Sequence, residues 1–178
     1  MKSRLYALGV ALLLSFVVLL SSCQKLPYLT AKIADQDFKA FYILAFRGNY
    51  SADSKGFVIL AGKGTDLQTT EFLAILVKGD QPAEYNLDVD LNTGTTVTEC
   101  EAFYFPSGES DTTGKYVAQK GYVKITNVDL DKNRISGQFE FDMVNVEGNT
   151  IKVTNGQFGD LVFVNITDSL SQYIQFGD

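Results

Sequence analysis

From Phe38 onward the chain alternates short apolar runs with clusters of Gly, Asn, Asp and Ser. Ile135, Gly137, Phe139, Phe141 and Met143 occupy one set of alternate positions, and Ser136, Gln138, Glu140 and Asp142 the other. Tyr85, Leu87, Val89 and Leu91 separate as cleanly from Asn86, Asp88, Asp90 and Asn92. A period of two places successive side chains on opposite faces, so both segments read as strands with one wet face. The run lengths and their Val, Ile, Phe and Tyr content predict strands near 38–46, 56–61, 71–77, 85–91, 97–105, 121–128, 134–144, 150–154 and 158–166. No long segment repeats at helical spacing. The expectation is an all-β domain, an antiparallel sandwich or flattened meander barrel of about nine strands.

Phe41 to Phe46, Phe57 to Ala61 and Phe72 to Val77 are apolar at both sets of positions. Their second face needs a cover: another sheet, a terminal segment, a ligand or a partner. The protein's own chain is the expected cover, because exposed apolar patches are rare on monomers. Thr167 to Ile174 is a candidate short C-terminal helix, capped by Asp168 with Leu170, Tyr173 and Ile174 on one side. Asp131-Lys132-Asn133 and Glu147-Gly148-Asn149 read as turns, and Asn155-Gly156 as a tight turn or a bulge. The stretch 106–120 reads as the longest loop.

The N-terminus follows a different pattern. Lys2 and Arg4 precede an apolar run from Leu5 to Leu20, which ends in Ser21-Ser22-Cys23. A basic start, an apolar stretch and small residues before a cut describe a secretory signal peptide. The run is too short to span a bilayer unaided, at roughly 18–20 residues needed. The expected organisation is a signal peptide over 1–22, a tether over 23–34 and one β domain over 35–178.

Cleavage would remove Lys2 and Arg4 and no acid, taking the formal net charge from −6 to −8. An acidic domain repels nucleic-acid phosphates and anionic lipid heads, so no nucleic-acid partner is expected. Of the 2 cysteines, only Cys100 lies within the β domain. It stands between Glu99 and Glu101, which disfavour a thiolate, and reads as a quiet buried thiol. The sequence holds no histidine, which removes Ser-His-Asp and Cys-His catalysis. It holds no tryptophan, which weakens a sugar-stacking reading, although its 9 tyrosines offer substitutes.

Two resemblances add to this. The small residues before Cys23 resemble the lipobox of bacterial lipoproteins, which implies acylation of Cys23 on sulfur and on its new amino group. Gly121-Tyr122-Val123-Lys124-Ile125-Thr126, Ile135-Ser136-Gly137-Gln138-Phe139-Glu140-Phe141 and Val153-Thr154-Asn155-Gly156-Gln157-Phe158 together resemble a group of small lipoproteins of Bacteroidetes-type bacteria. Members carry a lipobox and one all-β domain of unknown function, and bring no catalytic residues. Gln24 after the cysteine implies the outer membrane by the usual sorting rule. The lack of acids just after Cys23 favours its periplasmic face over the cell surface. Asp111-Thr112-Thr113 and Asp168-Ser169-Leu170 resemble the O-glycosylation signal of such envelope proteins, making Thr112 and Ser169 candidate acceptors.

Candidate chemistry beyond this is sparse. Asp88 to Glu99 has the alternating oxygens of a calcium loop, but Thr93 stands where the loop glycine belongs. The wet face of a strand running into a turn explains the same residues, and no metal is expected. Asp88 with Asp90, and Glu99 with Glu101, are two apart on strands, roughly 7 Å, a separation that inverting glycosidases use. Acids on an exposed strand face are ordinary, however. The expectation is a lipid-anchored, non-catalytic binding or accessory module with no cofactor. It meets the membrane through lipid on Cys23, and its protein or small-molecule ligand is unidentified. The alternatives are a carrier holding an apolar ligand in a barrel cavity and a structural subunit of an outer-membrane complex.

Overall fold

The computed structural model describes residues 26–51, 54–65, 70–90, 95–106 and 114–169. Eleven strands cover most of them: β1 (Tyr28–Ile33), β2 (Gln36–Lys39), β3 (Tyr42–Ser51), β4 (Ser54–Lys63), β5 (Glu71–Val77), β6 (Glu84–Asp90), β7 (Thr95–Thr98), β8 (Cys100–Phe105), β9 (Tyr116–Asp129), β10 (Arg134–Asn145) and β11 (Thr150–Ser169). The all-β expectation holds, and the architecture is a barrel. Strands β3, β4, β5, β8, β9, β10 and β11 pair in turn, and β11 returns to β3.

The closing contact is parallel, with Phe163 beside Ala45 and Val164 beside Phe46. The barrel is therefore mixed, a correction to the antiparallel meander. The strand β9 has 14 residues, β10 12 and β11 20, longer than their neighbours across the closing contacts. Their ladder edges outrun β8 and β3, and unpaired backbone needs a partner. Two side hairpins supply it. β1–β2 docks on Val153 to Gly159 of β11, and β6–β7 docks on Lys120 to Lys124 of β9.

The core is continuous through the barrel and under the hairpins. Phe57, Phe139, Phe141, Phe158 and Phe163 are fully buried, together with Leu29, Ile33 and Phe38 from the first hairpin. Phe57 meets Phe163 edge-on at 5.2 Å across the parallel closure. The alternation read in Ile135 to Met143 is the inward face of β10, as expected.

Several boundaries differ from expectation. Residues 28–33 are a buried strand, not tether, so the domain begins before residue 35. Leu29, Ala31 and Ile33 alternate inward, and β2 pairs with β1 through a turn in which Ala34 and Asp35 both have positive φ, 48° and 63°. This is the turn type that matches strand twist. The run 38–46 divides into β2 and β3, and 97–105 into β7 and β8. Residues 116–120, expected in a loop, begin β9. The runs 150–154 and 158–166 are one strand. Asn155-Gly156 is a bulge within it, with Asn155 at φ 52° and the register against β10 shifting between Phe139 and Phe141. That strand continues through Ser169, so Thr167 to Ser169 is strand where a helix was expected. The rest of that proposed helix lies outside the described residues.

Of the doubly apolar segments, the inner faces fill the barrel. Part of the outer face buries itself, since Val58 and Leu76 pack with Phe46, Tyr50, Leu60 and Ile166.

Candidate functional site

Strands β9, β10 and β11 form one continuous outer wall. Two cross-strand rows stand on it. Lys120, Asp142 and Lys152 form one row, by the pairs Asp142 with Lys120 and Asp142 with Lys152. Tyr122, Glu140 and Thr154 form the next, with Glu140 directly opposite Tyr122. Between the rows Gly121, Phe141 and Val153 make a floor. The result is an open groove of about 250 Å³.

Irregular backbone makes the groove. Gly121 has φ 147°, with Glu140 carbonyl and the Phe141 ring crowding the place a side chain would take. Register shifts on both sides of β10 fall here, after Asp142 against β9 and after Phe139 against β11. Bulges re-aim side chains in this way.

The walls carry balanced charge. Lys152 Nζ donates to Asp142 Oδ1 at 2.9 Å, and Lys120 lies 3.7 Å from Asp88. Glu140 Oε1 accepts the Asn155 amide at 3.4 Å. Burial holds the Tyr122 phenol above its ordinary pKa, and the charges of Glu140 and Glu84 add to this. Its hydroxyl stays protonated at neutral pH and can donate. The groove thus offers an aromatic ring, ammonium donors, carboxylate acceptors and a hydroxyl within one turn of sheet. Such walls suit a polar ligand that both donates and accepts hydrogen bonds. The volume is below the roughly 300–1,000 Å³ of sites for drug-sized ligands, and corresponds to one ring-sized unit.

None of the described residues singled out as candidate chemistry lines the groove. Cys23 and Thr112 are outside the described residues. Ser169 ends β11, opposite Asn49 of β3. Cys100 is buried, and its thiol donates to the Tyr85 carbonyl at 3.2 Å. Burial pushes that thiol up to about 12, with Glu99 and Glu101 adding to the shift. Asp88 lies on the wet face of β6, with Lys120 beside it, and the β6–β7 hairpin accounts for the acid alternation there. Glu99 Oε2 accepts the Asn86 amide at 2.9 Å, and Glu101 pairs with Lys78 at 2.7 Å. Those carboxylates are engaged one by one and share no cleft. Among the described residues no group of three or more acids and cysteines is placed to hold a metal ion.

Sequence reasoning did not single out Lys120, Tyr122, Glu140, Asp142, Lys152 or Thr154. It read the β10 residues as an ordinary wet face. Two signals were available: Tyr122, Glu140 and Thr154 stand within the three stretches that carry the family resemblance, and the bulge reading of Asn155-Gly156 marks where the sheet is deformed.

Fold and groove together define a small mixed β-barrel with a side-chain-filled interior, two side hairpins and a polar groove on its outer wall. The chain belongs to the family described as a domain of unknown function (DUF6252), which matches residues 26–161. No curated protein and no solved structure matches it.

Proposed function

We propose that this protein is a lipoprotein of a Bacteroidetes-type envelope, acylated on Cys23, whose β-barrel is a non-catalytic binding module. The groove over β9, β10 and β11 is its ligand site, and the ligand is a small polar, hydroxyl-bearing unit. The observation that carries the binding reading is the pair of rows Lys120–Asp142–Lys152 and Tyr122–Glu140–Thr154 around a dip in the sheet. Anchoring rests on the basic start, the apolar run and the small residues before Cys23. Outer-membrane placement on the periplasmic side rests on Gln24 and on the lack of nearby acids.

A filled interior supports a surface site over carriage of an apolar ligand inside the barrel, since Phe57, Phe139 and Phe163 occupy the lumen.

The test of binding is amide chemical-shift mapping of the protein titrated with a panel of neutral oligosaccharides and peptidoglycan fragments. Binding should move amides of 120–122, 140–142 and 152–154 together, and Tyr122→Ala should abolish the response. Shifts confined to other surfaces would end this reading. Anchoring is tested by metabolic labelling with an alkynyl fatty acid. Label is expected on the wild-type chain and should be lost in Cys23→Ala.

A further inference from the structure

Six of the nine large apolar residues exposed among those described lie on or just before β1, β3 and β11, while Val97, Leu130 and Val146 lie elsewhere. Leu26 is 83% exposed, Phe41 72%, Val164 57% and Leu44 54%, with Tyr28 and Val162 beside them. Strand register brings them together. Val164 pairs with Phe46, so Val162 and Leu44, two positions earlier on each parallel strand, lie side by side. Tyr28 pairs with Gly159, three positions before Val162, and its ring lies over that glycine. The amide of Ala40 donates to the Leu29 carbonyl at 3.0 Å, which brings Phe41, the next residue, near Tyr28. Single apolar residues on a surface are ordinary, whereas a contiguous group marks a contact.

The path of the chain says what makes that contact. β1 runs antiparallel to β11, from Tyr28 beside Gly159 to Ile33 beside Val153. Followed backward from Tyr28, the chain heads the way β11 runs on towards Val162 and Val164. It cannot stay paired with β11, because from Phe163 onward that edge is taken by β3. It cannot turn inward, because Leu161, Phe163 and Ala45 pack the interior there. Leu26 and Pro27 are the first described residues of this path, directly before Tyr28. Leu26 follows Cys23 by three positions, a reach of about 10 Å.

We propose that this patch is a membrane-contact face, seated in the headgroup region of the same bilayer that holds the acyl chains of Cys23. The inference rests on the acylated-cysteine reading above. The patch then fixes how the domain stands. Lys152 of the groove is ten residues from Val162 along β11, up to about 33 Å of strand, which sets the groove apart from the patch.

The test uses the acylated full chain, purified from membranes and reconstituted in phosphatidylethanolamine–phosphatidylglycerol vesicles. Leu44→Cys and Val164→Cys each carry an environment-sensitive fluorophore, and Cys100 is too buried to compete for it. Val146→Cys is the control, since Val146 is 77% exposed but lies in the turn between β10 and β11 at the far end. Lipid-borne doxyl groups should quench the probes at 44 and 164 at least twofold more than the probe at 146. Aqueous iodide should show the reverse order. Equal response of all three probes on a chain whose mass shows the acyl groups would overturn the membrane face and leave the anchoring intact. Energy transfer between probes on two chains without lipid quenching would overturn it in favour of a second copy. A Cys23 without acyl groups would remove both readings.

Discussion

Breaking the ion pair between Arg47 and Asp80 should destabilise the barrel by a measurable and pH-dependent amount. Arg47 projects from β3. Its Nη1 donates to Asn165 Oδ1 of β11 at 3.2 Å, and its Nε and Nη2 both donate to Asp80 Oδ2 in the connection after β5. Gln81 Nε2 donates to Asp80 Oδ1 at 3.1 Å. The side chains are 14% and 17% exposed. Truncating one partner of a fully buried pair costs about 3–5 kcal/mol, and an exposed pair contributes about 0.2–1 kcal/mol. This pair lies between those limits. Arg47→Met and Asp80→Asn should each cost about 2–3 kcal/mol, with a coupling of about 1–2 kcal/mol between them.

Burial alone would raise the Asp80 pKa. Hydrogen bonds from Gln81 and Arg47, and the charges of Arg47 and Lys55, more than reverse this and hold it below its ordinary value. A folded pKa below the unfolded one gives stability that is complete above the unfolded value, about 3.9, and is lost as pH falls through the folded value. Urea unfolding of the four chains of the cycle, at pH 7 and at steps below pH 4, measures this directly. The coupling should hold from pH 7 to about pH 5 and shrink below about pH 4. A coupling under about 0.5 kcal/mol at pH 7, or one unchanged in acid, would refute the reading of this ion pair as a stabilising contact of the barrel.

Three further outcomes follow from the packing. Phe139→Ala removes a fully buried ring that lies 6.0 Å from Phe141 and 6.4 Å from Phe158, and should cost about 3–5 kcal/mol by urea unfolding. A loss under about 1 kcal/mol would mean the core collapses around it. Gly121→Ala should cost about 1–3 kcal/mol in thermal or urea unfolding, because φ 147° and the nearby Glu140 carbonyl both oppose a side chain; a neutral result would contradict the bent floor of the groove. At pH 8 iodoacetamide should leave Cys100 unmodified in the folded chain and label it in denaturant, with thiolate on the order of 1 in 10⁴ at a pKa of about 12; prompt labelling without denaturant would show that the thiol is accessible.

Sequence alone specifies the strands with one wet face and one packed face. Ile135 to Met143 and Tyr85 to Val89 alternate because one face is wet and the other packs, and that constraint is written residue by residue. It also determined the turns after β9 and β10, and the inert setting of Cys100. Leu29, Ala31 and Ile33 carry the same alternation, but the run is six residues long and its pairing with β11 is what joins it to the domain. Whether Asn155-Gly156 turns the chain or bulges a strand depends on what lies across it, namely Phe139 and Phe141 of β10.

Other features arise from contacts between distant segments. The parallel meeting of β11 with β3 joins Arg47 to a residue 118 positions away, and no local propensity encodes such a pairing. The groove is assembled from residues 120–122, 140–142 and 152–154, each unremarkable on its own strand. Lysines, carboxylates and a tyrosine on wet faces become a site only where register shifts align them across three strands. Register is a property of the whole sheet, set by how the cores of all its strands pack together, and so it is not legible in any one segment.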